Sequence, residues 1–229
     1  MIRQMIKTMQ NLIKNNERLD DLQCNGLYII QDPNKYCFTS DAVALANFAK
    51  VKCGGKVVDL CSGSGVIGIL IGAKNKVSEV HLVELQECLA DMSSRTLEYN
   101  NLTNHYVHNA PLQDIHKTIG TSFDTVVCNP PYKKENSTNI FNQDESIAIA
   151  RHEIKVTLAE IIKEASKLLK FGGEFYIVNK EERLTDIMCE LRHNNLEPKE
   201  LKILVGGKSA NRIMIKAKKG GKSGIKISF

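Results

Sequence analysis

Val57-Val58-Asp59-Leu60-Cys61-Ser62-Gly63-Ser64-Gly65-Val66-Ile67-Gly68-Ile69 decides the fold. It opens as an apolar, β-branched run, as a parallel strand covered on both faces tends to do. A tight turn follows, and Gly65 onward opens a helix whose first N–H groups point back at that turn. Gly63 and Gly65 let backbone approach a ligand where a Cβ would collide. The plain pattern Gly63-x-Gly65-x-x-Gly68, with Glu84 on the next strand, is shared by several nucleotide-binding folds, NAD enzymes included. Taken alone it also fits a strand–helix turn that needs glycine only for packing. Asp59, four residues before Gly63, discriminates. A carboxylate under the loop repels a pyrophosphate and suits a ligand carrying an ammonium and a sulfonium. Glu84 at the end of its strand can accept hydrogen bonds from both hydroxyls of a ribose.

The chain has 229 residues and 42% hydrophobic content, enough for one domain with a full core. The formal charge is +5, unevenly spread. Residues 199–229 hold nine Lys or Arg against one acid, Glu200, so the remainder is slightly acidic. A one-sided basic segment favours a polyanionic partner; a solvated terminal tail is the plainer reading. The seven Cys lack the spacing of a metal site, which suits a reducing, cytoplasmic setting and no metal. No run reaches transmembrane length, and Met1–Asn16 lacks the continuous apolar region of a secretory signal, so no membrane partner is expected.

Ile2 to Ile13 has helical spacing, and Asp32-Pro33-Asn34-Lys35 reads as the turn of a hairpin between Leu27–Gln31 and Tyr36–Phe38. Thr39-Ser40-Asp41 caps a helix over 42–50. Strands are expected at 79–84, 106–108, 123–128, 174–178, 199–205 and 212–217, with helices at 66–73, 86–99, about 151–170 and 181–194. Gly206-Gly207 makes the last two strands a hairpin. Residues 133–150 are polar and irregular, and read as a lid. The sum is an α/β, Rossmann-like, seven-stranded sheet, mostly parallel with one antiparallel edge strand. It forms a single domain over 1–229, with an N-terminal helix and hairpin appendage over 1–38 and a flexible basic tail over 218–229. A monomer is expected.

Asn129-Pro130-Pro131-Tyr132 follows the strand at 123–128. Two prolines cannot continue a central strand. They hold a rigid loop at its carboxyl end, where open α/β sheets bind ligands. The Asn129 side-chain oxygen and the Pro130 carbonyl can accept both hydrogens of a planar NH₂ group, and Tyr132 offers a face for a ring to stack on. Such an amine is a poor nucleophile because its lone pair is delocalised. Acceptors on its N–H bonds favour a pyramidal nitrogen and stabilise the positive charge that develops on transfer.

The Asp59–Gly65 pattern with Glu84 resembles the S-adenosyl-L-methionine site of class I methyltransferases, although Cys61 stands where those enzymes often have Gly. Phe38-Thr39-Ser40-Asp41-Ala42-Val43-Ala44-Leu45-Ala46 and Ala150-Arg151-His152-Glu153 resemble segments of the tRNA1(Val) (adenine-37-N6)-methyltransferase family. The resemblance covers nearly the whole chain. It implies S-adenosyl-L-methionine as cofactor, held by Phe38, Ser40, Asp41, Asp59, Cys61, Gly63, Gly65, Glu84, Leu85, Asn109 and Ala110. Asn109 stands where relatives carry an acid that reads the adenine amine, and can still present an amide oxygen. Asn129, Pro130 and Tyr132 are the implied catalytic group. The implied tRNA contacts are Pro131, Arg151, His152, Lys218, Lys219 and Lys222. Helix capping serves equally for Ser40 and Asp41, and a surface ion pair for Arg151 and His152. N5-methylation of a glutamine in a release factor poses the same amine problem, but that family carries an extra N-terminal helical domain. A nucleotide-binding module without catalysis is a third reading, which the intact 129–132 motif disfavours. DNA adenine methylation shares the motif without an obvious target-recognition domain here.

Overall fold

In the computed structural model the described residues are 12–131, 156–204 and 212–229. The chain begins with a hairpin, β1 (Arg18–Asp21) and β2 (Tyr28–Gln31), then α1 (Ser40–Phe48). It continues through β3 (Lys56–Leu60), α2 (Val66–Lys74), β4 (Glu79–Glu84), α3 (Glu87–Tyr99), β5 (His105–Asn109), α4 (His116–Ile119) and β6 (Phe123–Cys128). The last elements are α5 (Leu158–Leu168), β7 (Leu169–Lys180), α6 (Leu184–His193), β8 (Leu196–Leu204), β9 (Arg212–Lys219) and β10 (Lys226–Ser228).

β3 to β10 form one sheet in the order β10-β8-β9-β7-β6-β3-β4-β5. Only β9 runs antiparallel to its neighbours, β7 and β8. β3 to β5 step one way from the centre and β6 to β7 the other, so the order reverses between β3 and β6. Ligands of open parallel sheets bind at the carboxyl ends beside that reversal. Apolar side chains alternate across the central strands. Val58, Val126 and Ile177 pack with α5 and α6, while Val57, Val127 and Val178 pack with α1 and α2. Both faces are covered, which is why these strands read as continuous apolar runs. A capping box starts α5: the Thr157 hydroxyl accepts from the Glu160 N–H, and the Glu160 carboxylate accepts from the Thr157 N–H.

The sheet has eight strands, not seven. β10 is three residues long and too short to show a period. It is held parallel to β8 by pairing and by Lys199 Nζ, which donates to the carbonyls of Lys222 and Gly224. The segment expected as a flexible tail therefore holds the end of β9 and all of β10. Nor does Asp32–Lys35 join two strands: the hairpin is β1 with β2, and 36–38 runs on toward the sheet's carboxyl end. β1 is Arg-Leu-Asp-Asp, with no alternation to reveal it. β7 starts at Leu169, five residues before the expected strand, because Phe171-Gly172-Gly173 forms a bulge within the strand, with Gly172 at φ 77, rather than a helix stop. The expected N-terminal helix lies mostly, and the lid and the helix start at 150–153 wholly, outside the described residues.

Candidate active site

The loop after β3 carries backbone that L-residues rarely adopt: Cys61 has φ 56, Gly63 has φ 57 and Gly65 has φ 87. Asp59 beneath it is fully buried. Its Oδ2 accepts the Gly68 N–H at 2.9 Å, tying strand to helix, while Oδ1 has no hydrogen-bond partner. Burial pushes the Asp59 carboxyl up to about 8, with the Gly68 N–H acting against it and the Glu84 charge adding to it. Glu84 accepts the Gly63 N–H at 2.8 Å and the Gln86 N–H at 2.9 Å. Burial raises its pKa too, opposed by backbone N–H groups. The Ser62 hydroxyl, also buried, is unpartnered. Buried polar atoms are normally paired, so the Ser62 hydroxyl, which lines the pocket above the turn, is one whose bonding a ligand can complete.

Above this turn opens a pocket of about 860 Å³ including its mouth. Its walls come from several elements. Phe38 and Tyr36 descend from the segment after β2, and Cys61, Gly63, Glu84, Leu85, Ala110, Asn129 and Pro131 complete the wall. The structure thus brings the glycine loop, the β4 acid and the Asn129 corner around one cavity, across the reversal between β3 and β6. Tyr36, Ser62, Ser64, Gln86, Leu112, Gln113 and Val156 also line it and were not singled out from the sequence. Tyr36 lies against Gly63, its ring 3.8 Å from where a Cβ would stand.

Several expected cofactor residues are used otherwise. Gly65 does not line the pocket; a Cβ there would meet Leu82 at 2.9 Å, so its glycine serves packing and the left-handed turn. Asp41 pairs with Arg212 at 2.9 Å, and Ser40 begins α1 without facing the pocket. The Asn109 amide donates to the carbonyls of Glu84 and Leu85, at 3.1 and 3.0 Å, and ties β5 to the end of β4 rather than facing inward. Pro130 sits in the corner but off the lining. Tyr132, Arg151 and His152 lie outside the described residues.

Lys218, Lys219 and Lys222 sit at the opposite end of the sheet. Lys218 is level with Glu174 in β7, whereas Cys128, next to Asn129, is level with Ile177. That places Lys218 roughly 13 Å down the sheet from the Asn129 level, at about 3.3 Å per residue. Lys219 Nζ donates to the carbonyls of Ser166 and Leu169 and closes the end of α5, so it is not a substrate cation. Asp114, His116 and Glu164 bring potential metal-ligand atoms within 4.8 Å of one another. Lys167 already supplies a cation there, 3.3 Å from both carboxylates. Among the described residues, no helix is long and apolar enough to cross a membrane.

An open sheet with one reversed strand, a strained glycine turn over a buried carboxylate and an acid on the neighbouring strand define a class I methyltransferase. S-adenosyl-L-methionine fits the donors present. The unpartnered Ser62 hydroxyl lines the pocket, Asp59 lies beneath the turn and off the lining, and Glu84 retains lone pairs for hydroxyls. The chain belongs to the methyltransferase small domain family, whose model matches residues 39–196. A curated tRNA1(Val) (adenine(37)-N6)-methyltransferase of Shewanella baltica strain OS195 is 26% identical over 201 residues, 86% of this chain and 79% of that protein. Among solved structures, a predicted O-methyltransferase from Agrobacterium tumefaciens aligns at TM-score 0.61 and 21% identity, covering 82% of this chain and 85% of that one. TYW2 of M. jannaschii in complex with AdoMet aligns at 0.63 and 13%, covering 90% and 86%. The two structures share the fold.

Proposed function

We propose that this protein transfers a methyl group from S-adenosyl-L-methionine to the exocyclic N6 amine of an adenine in a tRNA anticodon loop. The observation that carries the reading is the shared cavity. Asn129 and Glu84 line one pocket, so an amine held at the first lies beside a nucleoside held at the second. When bound, the cofactor supplies an electrophilic methyl on a sulfonium. The chain's own residues do the rest. Asn129 Oδ1 and the Pro130 carbonyl accept the two amine hydrogens and pull the nitrogen toward a pyramidal, nucleophilic shape. They also stabilise the charge that grows on it. Pro130 and Pro131 keep these acceptors fixed, so little ordering remains at the moment of reaction. No general base is required, since the methylated ammonium is itself acidic. Tyr132 is proposed as the stacking face for the base, and Arg151 and His152 as phosphate contacts.

The RNA reading is supported by the name of the Shewanella relative, a tRNA methyltransferase, and by the uneven charge. Lys218 and Lys222 make no ion pair among the described residues. They form a basic strip that a folded RNA long enough to pass the sheet can meet, with a salt-dependent contribution. A loop base leaves its stack at low cost and enters the pocket. Labelled S-adenosyl-L-methionine is incubated with unmodified tRNA and, separately, with a release factor. The reading expects label in tRNA, recovered as N6-methyladenosine. Label in the release factor and none in tRNA would replace it by glutamine methylation.

A further inference from the structure

The aromatic wall of the pocket is set by a residue that does not touch it. Phe38 and Tyr36 line the cavity from a segment with no regular structure, so something must hold that segment in place. Gln31, the last residue of β2, is 2% exposed and spends both ends of its amide. Its Oε1 accepts the Phe38 backbone N–H at 2.9 Å, and its Nε2 donates to Asp20 Oδ2 on β1 at 2.5 Å. Asp20 is in turn held by Arg18. The hairpin is itself anchored to α3. The Ile30 N–H donates to Thr96 Oγ1 at 3.0 Å, the Tyr28 N–H to Asn100 Oδ1 at 2.9 Å, and Arg95 clasps Glu17 at 2.6 Å. A continuous chain of bonds therefore runs from α3 through the hairpin to Gln31 and on to Phe38.

We infer that Gln31 is a positioning residue for cofactor binding: its amide fixes Phe38, and with it Tyr36, as the roof that closes S-adenosyl-L-methionine against the Gly63 turn. The inference rests on the cofactor reading above. An amide is required because one end must accept and the other donate. A carboxylate at 31 keeps the bond to Phe38 but opposes Asp20. Exchanging the two, Gln31→Glu with Asp20→Asn, restores one donor and one acceptor across the same gap.

The test measures binding of S-adenosyl-L-methionine and of S-adenosyl-L-homocysteine by calorimetry, methyl transfer at saturating cofactor, and thermal melting. Wild type must bind both; if it binds neither, the cofactor reading itself fails, separately from this inference. Gln31→Met is expected to weaken binding about tenfold, the scale of one buried hydrogen-bond partner lost. Transfer at saturating cofactor should stay within about twofold of wild type, because the bond acts on binding and not on the amine. Gln31→Glu should lose as much, and Gln31→Glu/Asp20→Asn should recover most of it. Unchanged affinity in Gln31→Met overturns the proposal. So does a double variant that melts like wild type yet binds no better than Gln31→Glu. If Gln31→Met does not fold, the comparison of Gln31→Glu with the double variant decides alone.

Discussion

The two ends of the sheet treat their polar groups in opposite ways. Toward the amino-terminal end of the sheet, Glu174 accepts the Tyr176 hydroxyl at 2.6 Å and pairs with Lys216 at 2.8 Å. Lys219 closes α5, and Lys170 pairs with Asp124. At the carboxyl ends, Asp59 Oδ1, Ser62 Oγ and Asn179 Nδ2 are buried without partners. The other two orphans among the described residues are ring nitrogens of His81 and His105, which burial holds neutral. Unpaired buried polar atoms cost stability that the fold must offset elsewhere. Three of the five orphans among the described residues lie toward the carboxyl ends of the strands, and Ser62 among them lines the pocket, which separates the part of the molecule shaped for a ligand from the part shaped for itself.

Substitutions at the two ends should therefore fail differently. The largest effect is expected at Asn129. Asn129→Ala should lower transfer at saturating substrates by about 100-fold or more, the usual loss for a positioned polar group facing developing charge. Cofactor affinity should stay within severalfold. Calorimetry showing an equal loss of affinity would make the residue structural and blur the distinction between amine corner and cofactor floor.

Next comes Asp59. Asp59→Asn keeps an acceptor for the Gly68 N–H and removes the charge, so cofactor affinity should fall by roughly tenfold while the fold holds. The pH dependence has a definite sign. In the free protein the Asp59 carboxyl sits at about 8, against 3.8 ordinarily, so the folded state holds the extra proton between those values. Its contribution to stability therefore declines as pH rises through that window. A cationic ligand prefers the ionised form. Binding to wild type should tighten between about pH 6 and 7.5 and release a proton, and Asp59→Asn should lose that slope. Titration in buffers of different ionisation enthalpy reads the proton directly; no release would mean the ligand's charge lies elsewhere.

At the other end the expected damage is to stability alone. Lys219→Met removes two bonds to the carbonyls ending α5 and should cost about 1 kcal/mol, a few degrees of melting temperature. Transfer at a temperature where the variant is folded should match wild type. A lowered rate in the fully folded variant would connect the two ends. The smallest effect belongs to Lys218→Ala/Lys222→Ala, which should reduce the slope of log affinity for tRNA against log salt by up to about 2. An unchanged slope would leave the amino-terminal end with no part in RNA binding.

Much of this is legible in the sequence. β4 and β6 fall where alternation and apolar runs put them, because strands buried in a parallel sheet carry their whole signal locally. The Asp59–Gly65 turn and the Asn129 corner were legible because special backbone needs special residues. What escaped was tertiary. Asp41 looks like a pocket residue until Arg212, 171 positions away, takes its carboxylate. Gly65 looks like a ligand cradle until Leu82 fills the space. Asn109 turns to the ends of β4, a direction no spacing encodes. Tyr36 lines the pocket from irregular chain, and β10 exists only through its partners.

The most direct test of the account is nucleoside mass spectrometry of an unmodified tRNA transcript after incubation with S-adenosyl-L-methionine and either wild type or Asn129→Ala. The account predicts N6-methyladenosine with the first and almost none with the second. A different methylated nucleoside, or equal N6-methyladenosine from both proteins, would contradict it.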